Sequence, residues 1–258
     1  MTYQTLKVRF EEKVCFVQLY RPEANNTIND RLIEEFHQVL NRCEADLYTV
    51  VVLEGLPEVF CSGADFQAIH QKIANGNRTE SEPDPLYGLW LRLATGPYVT
   101  VSHVRGRVNA GGIGFVAASD IVIANSTAQF SLSELLFGLF PACVLPFLIR
   151  RIGVQKGHYL TLMTWPIDIQ QAYEWGLVDA YDTRSDMLLR KHIRRLMFLS
   201  KSGIDQYKQY MNQLNDSLYQ SQPLALAANK KLFVNPDNLE RIYTYVETGR
   251  FPWESEHS

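Results

Sequence analysis

Two glycine-rich turns carry the first chemistry that this sequence offers. One is "CSGADF" (61–66) and the other is "NAGGIG" (109–114), and each connects a β-branched or apolar run to a segment with the composition of a helix. Such a turn either lets two backbones pack closely or directs free N–H groups at a negative group. Two such turns can place one backbone N–H each on a single oxygen atom and stabilise its negative charge.

A lone carboxylate is the second chemical feature. Glu134 is the only acidic residue in the apolar stretch "AQFSLSELLFGLFP" (128–141). Burial among apolar side chains raises the pKa of a carboxylate and makes it a stronger base. Alternatively, Glu134 is a buried or subunit-facing carboxylate that pairs with an arginine.

The composition limits what these groups can act on. The chain has 258 residues, 46% of them apolar, so it is long enough for one large domain or a domain with an appendage. Its net charge of −3 comes from 25 basic and 28 acidic residues spread along the chain. No basic face therefore predicts binding to nucleic acid or to an anionic membrane, and an acyl ligand or a protein partner is favoured.

The cysteines and the apolar runs indicate a compartment. The four cysteines lie singly in apolar segments, without the close pairing of metal sites or disulfide frameworks, so we expect reduced core residues and no metal site. The N-terminal stretch has no signal-peptide core, and no run approaches the roughly 18 apolar residues of a membrane span. We expect a cytoplasmic protein. The cysteines are Cys15, Cys43, Cys61 and Cys143.

Alternating strands and helices must position the two turns and the carboxylate. "TLKVRF" and "VCFVQLY" predict a hairpin, and the β-branched runs at 49–55, 98–106 and 120–126 predict buried strands of an α/β fold. A helix is expected after the cap Asn29, and the sequence after residue 141 is nearly all helical. The polar insert at 75–85 predicts a mobile surface loop. The residues expected on the buried face of the first helix are Leu32, Ile33, Phe36, Val39, Leu40 and Cys43.

The order and separation of these stretches resemble the crotonase, or enoyl-CoA hydratase/isomerase, superfamily. The resemblance covers nearly the whole chain and is strongest with the dehydratases of polyketide β-branching. It implies a spiral of ββα turns at residues 1–195, followed by a C-terminal helical region at 196–258 that builds a homotrimer, often paired into a hexamer. The matching stretches are "VQLYRPEANNTIND", "FCSGADF", "GRVNAGGIGFVAASDIVIA", "AQFSLSELLFGLFP" and "AYEWGLVDA".

The resemblance also assigns roles to residues. It implies that the amides of Ala64 and Gly111 form an oxyanion hole around a thioester carbonyl and that Glu134 removes the α-proton. No cofactor is implied, because the substrate is carried on the phosphopantetheine of an acyl carrier protein or of CoA. The residues expected against the bound thioester are Ser62, Gly63 and Gly112.

The sequence departs from typical hydratases, which use two glutamates. Gly114 occupies the position of the first glutamate, which leaves Glu134 as the one carboxylate and suggests room for a branched acyl group. The departing hydroxyl needs an acid, for which Asp65, His70, Tyr87 and a bound water are candidates. Asp65 can equally be the cap of the following helix, and the other two side chains are more simply interpreted as packing or surface residues.

The sequence gives weaker evidence about the carrier of the acyl group. Glu23 and Gln67 stand where many acyl-CoA-binding relatives have lysines, which argues against tight binding of a nucleotide phosphate. An acyl carrier protein domain of a polyketide synthase is therefore the expected partner. The basic stretch "RKHIRRL" (190–196) can either contact such an acidic carrier or form the solvated face of a helix.

These observations lead to one expected function and two alternatives. We expect a dehydratase that converts 3-hydroxy-3-methylglutaryl-acyl carrier protein to 3-methylglutaconyl-acyl carrier protein in polyketide β-branching. An enoyl-CoA hydratase or double-bond isomerase acting on acyl-CoA is the enzymatic alternative. A non-catalytic, oligomeric carrier-binding module is the alternative from another class, although such a module would have no need of Glu134 or of the two turns.

Overall fold

Strands and helices alternate along the first part of the chain, and helices alone form its end. The computed structural model describes residues 3–74 and 84–254. Its strands are β1 (Leu6–Glu11), β2 (Val14–Leu19), β3 (Val50–Glu54), β4 (Val59–Cys61), β5 (Val99–Val104), β6 (Arg107–Asn109), β7 (Ile121–Asn125), β8 (Gln129–Ser131) and β9 (Ala180–Asp182). Its helices are α1 (Asp30–Ala45), α2 (Phe66–Ala74), α3 (Asp84–Thr95), α4 (Gly111–Ala118), α5 (Leu145–Ile152), α6 (Val154–Met163), α7 (Ile169–Glu174), α8 (Ser185–Leu196), α9 (Lys201–Leu214), α10 (Ser217–Phe233) and α11 (Pro236–Thr248).

The strands form two sheets. The larger has the order β1-β2-β3-β5-β7-β9, and the smaller has the order β4-β6-β8. Only β1 and β2 pair antiparallel, as the predicted hairpin, whereas the other ladders are parallel. Each successive turn of the chain gives one strand to each sheet (β3 and β4, then β5 and β6, then β7 and β8). This arrangement confirms the predicted spiral of ββα turns.

The larger sheet is covered on both faces, which is why the side chains of its central strand β5 are buried throughout. In β3, Val51 and Leu53 pack in the cluster that contains α1, α3 and α4. Val50 and Val52 point to the other face, where α8 and α9 cover them. The cluster on the α1 face also contains the apolar residues of the smaller sheet, so the two glycine-rich turns start from this side of the molecule.

The local predictions hold with a few differences. Asn29 caps α1 by accepting a hydrogen bond from the Leu32 N–H at 2.9 Å, and the predicted apolar face is buried except for Ile33, which is half-buried. All four cysteines are buried and free. Within the nearly all-helical sequence after residue 141, α9 ends and α10 begins around Asn215, because Asn, Asp and Ser favour helix ends over helix interiors. Most of the predicted loop at 75–85 lies outside the described residues.

The C-terminal helices α10 and α11 pack against helices of the spiral. Helix α10 packs on α3 and α5, and α11 packs on α2. The expected boundary between residues 195 and 196 falls in the last turn of α8. Among the residues described, no helix has both the length and the apolarity needed to cross a bilayer.

Candidate functional site

One large cleft contains most of the residues singled out from the sequence. Its volume is about 1690 Å³, and its lining comes from both glycine-rich turns, from the segment around Glu134 and from α10 and α11. The structure thus brings together, on one surface, residues from four separate parts of the chain. The predicted site residues that line the cleft are Ser62, Ala64, Asp65, Gly111 and Glu134.

The remaining two predicted residues, Gly63 and Gly112, serve the packing of the turns. Gly63 has φ +90°, and a Cβ placed on it would lie 2.6 Å from the Cβ of Ala110 and 3.3 Å from the Gly111 nitrogen. A Cβ on Gly112 would lie 2.7 Å from the carbonyl oxygen of Cys61, so α4 contacts the end of β4 directly. The bare backbone at these positions therefore allows the two turns to touch.

Each turn presents a free N–H group. Ile28 forms a parallel bridge with the first turn, donating to the Gly63 carbonyl at 2.7 Å and accepting from the Asp65 N–H at 3.1 Å. These bonds use the backbone on either side of Ala64 and leave its own N–H unused. Gly111 is the first residue of α4, where a backbone N–H has no partner within the helix. Neither N–H has an acceptor in the part of the chain that the structure describes, so the pair can bind one anionic oxygen.

The backbone at Ala110 is held in an uncommon conformation. Its φ of +51° is rare for a residue with a side chain and costs on the order of 1–3 kcal/mol. The Ala110 N–H donates to the Ser131 carbonyl at 3.1 Å, and this bond ties the turn to β8. The orientation of the Gly111 N–H is therefore fixed before any ligand binds.

Glu134 lines the cleft as a partly shielded carboxylate. It begins the 3₁₀ segment Glu134–Phe137 and is half-buried, while its Oε2 atom is shielded from solvent and has no hydrogen-bond partner among the described residues. Desolvation raises the pKa of Glu134 to about 7, against the opposing effect of the backbone N–H groups of Glu134 and Ser133. A carboxyl group with a pKa near neutrality can both take up and release a proton.

Asp65 is engaged by two partners. Its Oδ1 accepts a hydrogen bond from the Ala68 N–H at 2.9 Å, which makes it the cap of α2, and its Oδ2 lies 2.8 Å from Nη2 of Arg21. Both carboxylate oxygens of Asp65 are therefore already committed to partners within the protein. The geometry therefore favours the interpretation of Asp65 as a cap over its interpretation as an acid.

The other two candidate acids are also engaged elsewhere. The Tyr87 hydroxyl is fully buried and donates to the Leu218 carbonyl at 2.6 Å, which fastens α3 to α10. His70 packs edge-to-face on Tyr243, with ring centroids 4.7 Å apart, and its Nε2 lies 3.8 Å from Glu247. Neither side chain lines the cleft.

Gly114 does not leave open space. A Cβ at this position would lie 2.4 Å from Cζ2 and 2.5 Å from Cε2 of Trp90, whose side chain is 1% exposed. The expectation that glycine at 114 makes room for a branched acyl group is therefore wrong for this position, because the Trp90 indole fills the volume. Trp90 itself lines the cleft and forms part of its wall.

The residues expected to bear on the carrier lie in two different places. Glu23 and Gln67 are both exposed and line the cleft. Helix α8, which carries the stretch 190–196, packs on the opposite face of the larger sheet, and its exposed side includes Arg190, Lys191, Arg194 and Arg195. This position favours a solvated helix face over a docking surface beside the cleft.

The cleft residues that sequence reasoning missed include Trp90, Asn109, Ser133 and Tyr243. Trp90 and Tyr243 lie in helices whose composition marks them only as packing residues. The other two did leave a signal, because polar residues alternate with apolar ones in "RVN" and "SLS", and period-2 alternation places them on one face of a strand or extended segment.

Comparison with known proteins agrees with the fold and with the motifs. The sequence pattern of the family described as enoyl-CoA hydratase/isomerase matches residues 9–256. The chain is 63% identical to the bacillaene synthase dehydratase PksH of Bacillus subtilis, over 99% of both chains. It is 29% identical to the mevalonyl-coenzyme A hydratase sidH of Aspergillus fumigatus, over 78% of this chain and 74% of that protein.

A solved structure gives the same result in three dimensions. The crystal structure of a polyketide biosynthesis enoyl-CoA hydratase (pksH) from Bacillus subtilis superimposes with a TM-score of 0.95, covering 97% of this chain and all of the other at 63% identity. An enoyl-CoA hydratase/isomerase of Xanthobacter autotrophicus, at 22% identity, shares the fold with a TM-score of 0.86. The chain therefore belongs to the enoyl-CoA hydratase/isomerase family, the crotonase superfamily.

Proposed function

We propose that this protein is a crotonase-family dehydratase of polyketide biosynthesis, a hydro-lyase acting on a 3-hydroxyacyl thioester. Its extensive identity to a bacillaene synthase dehydratase supports this activity. The single structural observation that carries the proposal is the meeting of one unpaired carboxylate, Glu134, with the free N–H groups of Ala64 and Gly111 in one cleft. Proton abstraction next to a thioester requires these two components.

In the proposed reaction, Glu134 removes a proton from the carbon adjacent to the thioester carbonyl. The electron pair moves onto the carbonyl oxygen, and the N–H groups of Ala64 and Gly111 donate to the resulting enolate oxygen. Two preorganised donors stabilise this charge, and the loss of one typically costs on the order of 10²-fold or more in rate. The enolate then re-forms the carbonyl, a double bond forms between the α and β carbons, and the hydroxyl leaves the β carbon.

The departing hydroxide needs one proton to leave as water. Asp65 is ion-paired with Arg21, and the Tyr87 hydroxyl is committed to a backbone carbonyl. Glu134 holds the proton that it has just taken, and its pKa near 7 allows it to return that proton. One carboxylate can thus serve as base and then as acid, and the overall reaction releases one water without consuming a group of the protein.

The substrate that we propose is 3-hydroxy-3-methylglutaryl on the phosphopantetheine arm of an acyl carrier protein, with 3-methylglutaconyl as product. The rim residues Glu23 and Gln67 support a carrier protein over CoA, because neither attracts a nucleotide phosphate. Arg31 also lines the cleft, but its guanidinium group is already paired with the carboxylate of Glu35, 3.2 Å away.

A double-bond isomerase is the second candidate. It is favoured by the same single carboxylate, since moving a double bond requires one group that takes a proton from one carbon and returns it to another. The isomerase reaction retains every atom of the acyl group, whereas dehydration loses one water. Mass therefore separates the two activities.

The test is incubation with 3-hydroxy-3-methylglutaryl-acyl carrier protein, followed by intact-protein mass spectrometry of the carrier. We expect loss of one water with the wild-type protein and none with Glu134→Gln, which keeps the shape of the side chain but removes the base. Glu240→Gln is the matched control, because Glu240 is an exposed carboxylate of the same cleft. A Glu134→Gln variant within about tenfold of the wild-type rate would refute the assignment of the base.

We also propose a homo-oligomer, a trimer or hexamer, in the cytoplasm. Large apolar side chains on and around α6 and α7 are exposed in the single chain, and patches of this kind mark interfaces. The four free cysteines support a reducing compartment. Light scattering coupled to size exclusion would give the mass, and a monomer would contradict the assembly. The exposed side chains are Val154, Tyr159, Leu162, Trp165, Tyr173 and Tyr181.

A further inference from the structure

Three polar side chains form a hydrogen-bonded row beside Glu134. Asn109 ends β6 and Ser131 ends β8, opposite each other in a parallel ladder, and Ser133 follows two residues later. The Ser131 hydroxyl donates to Oδ1 of Asn109 at 2.9 Å, and Nδ2 of Asn109 donates to Oγ of Ser133 at 2.8 Å. All three residues line the cleft, so this polar row faces the same space as the carboxylate.

The donor and acceptor groups fix the direction of the hydrogen bonds in this row. An amide nitrogen only donates, so Oγ of Ser133 must accept from Asn109. The hydroxyl proton of Ser133 is then left over, and none of the described residues accepts it. A hydroxyl donor without a protein acceptor, on the wall of a cleft, is suited to an oxygen of the bound molecule.

The row also connects the two halves of the site. Asn109 immediately precedes the Ala110–Gly111 turn, and Ser133 immediately precedes Glu134. The amide of Asn109 therefore fixes the distance between the turn that presents the Gly111 N–H and the segment that carries the carboxylate.

We infer that the Ser133 hydroxyl binds the 3-hydroxyl oxygen of the acyl substrate and that Asn109 is the positioning residue that directs it there. The inference rests on the proposed function. The carbon that loses its proton and the carbon that bears the hydroxyl are adjacent in the substrate, just as Glu134 and Ser133 are adjacent in the chain. A hydroxyl bound at Ser133 is thereby kept next to the carboxyl group that returns the proton.

The test measures binding, without turnover, of three pantetheine amides by calorimetry. The first carries 3-hydroxy-3-methylglutaryl, the second lacks the 3-hydroxyl (3-methylglutaryl) and the third lacks the terminal carboxylate (3-hydroxy-3-methylbutyryl). Ser133→Ala should weaken the first and third by roughly tenfold and leave the second unchanged. Gln129→Ala is the matched control, because Gln129 is an exposed side chain of the same cleft outside the row, and it should leave the preference for the 3-hydroxyl intact.

Three outcomes would overturn the inference. An equal loss for all three amides would make Ser133 a structural residue, and a loss confined to the two amides with a terminal carboxylate would assign it to that group instead. The same selective loss in Gln129→Ala would show that the effect is not specific to the Ser133 hydroxyl. A wild-type protein that prefers the 3-hydroxyl but does not release water from the carrier-bound substrate would refute the proposed function alone.

Discussion

Ionisation of Glu134 should control activity and stability over the same pH range. Desolvation raises its pKa from 4.5 to about 7, and only the ionised form can take a proton from the substrate. The dehydration rate should therefore rise with pH and level off above 7. At pH 6 it should be about tenfold below the plateau, because about one molecule in ten then carries the ionised carboxylate.

The same shift predicts how stability depends on pH. Below pH 4.5 Glu134 is protonated in both the folded and the unfolded chain, so it does not lower the free energy of unfolding. Between pH 4.5 and 7 the unfolded chain releases its proton while the folded chain keeps it, and the free energy of unfolding falls. Above pH 7 both states are ionised and the full cost remains, which for this difference in pKa is about 3 kcal/mol.

Glu134→Gln removes this cost. At pH 8 the variant should unfold at a temperature roughly 6–12 °C above that of the wild-type protein, and the difference should vanish towards pH 4.5. Thermal unfolding of both proteins from pH 4.5 to 8.5 measures it, with Glu240→Gln as the control that lacks the pH-dependent gain. A difference between Glu134→Gln and wild type that stays constant with pH would refute the argument that desolvation raises the pKa of Glu134.

Three further predictions concern the walls and the rim of the cleft. Gly114→Ala should lower the free energy of unfolding by about 1–3 kcal/mol, because the added methyl group collides with Trp90. Gly88→Ala is the control, because a Cβ at Gly88 meets nothing within 4 Å, and it should not lower the free energy of unfolding. Urea unfolding of the two variants measures the difference. Asp65→Asn should weaken the fold by loss of the Arg21 ion pair yet keep kcat within about tenfold, and a greater loss of kcat would restore Asp65 as a catalytic acid. The carrier-protein thioester should show a higher kcat/KM than the CoA thioester of the same acyl group, and equal values would contradict a carrier-specific enzyme.

Features that depend on neighbours along the chain were predictable from the sequence. The spacing of apolar residues after Asn29 fixes the buried face of α1, and three β-branched runs are the central strands β3, β5 and β7. The two glycine-rich turns and Glu134 could be found as a set because their types and order are unusual. Their meeting in one cleft is a consequence of the spiral, since each turn of the spiral brings the next strand end to the same side.

Features that depend on distant contacts were not predictable in this way. Nothing in the sequence shows that the volume left by a glycine at 114 is taken by Trp90, because the two lie on different helices. The pairing of Arg21 with Asp65 likewise joins two loops, and it changes the interpretation of the carboxylate from acid to cap. The hydroxyl of Tyr87 finds its acceptor at Leu218, which only the return of α10 brings within reach.

The contact between Gly63 and Ala110 also determines when, during folding, the protein becomes active. The two donors belong to segments that are far apart in the chain, whereas the hydrogen bonds of a helix join residues only four apart. Contacts of high sequence separation form slowly, because loop closure must precede them. Recovery of catalysis after dilution from denaturant therefore reports the docking of the two turns, whereas recovery of helical circular dichroism reports an earlier event.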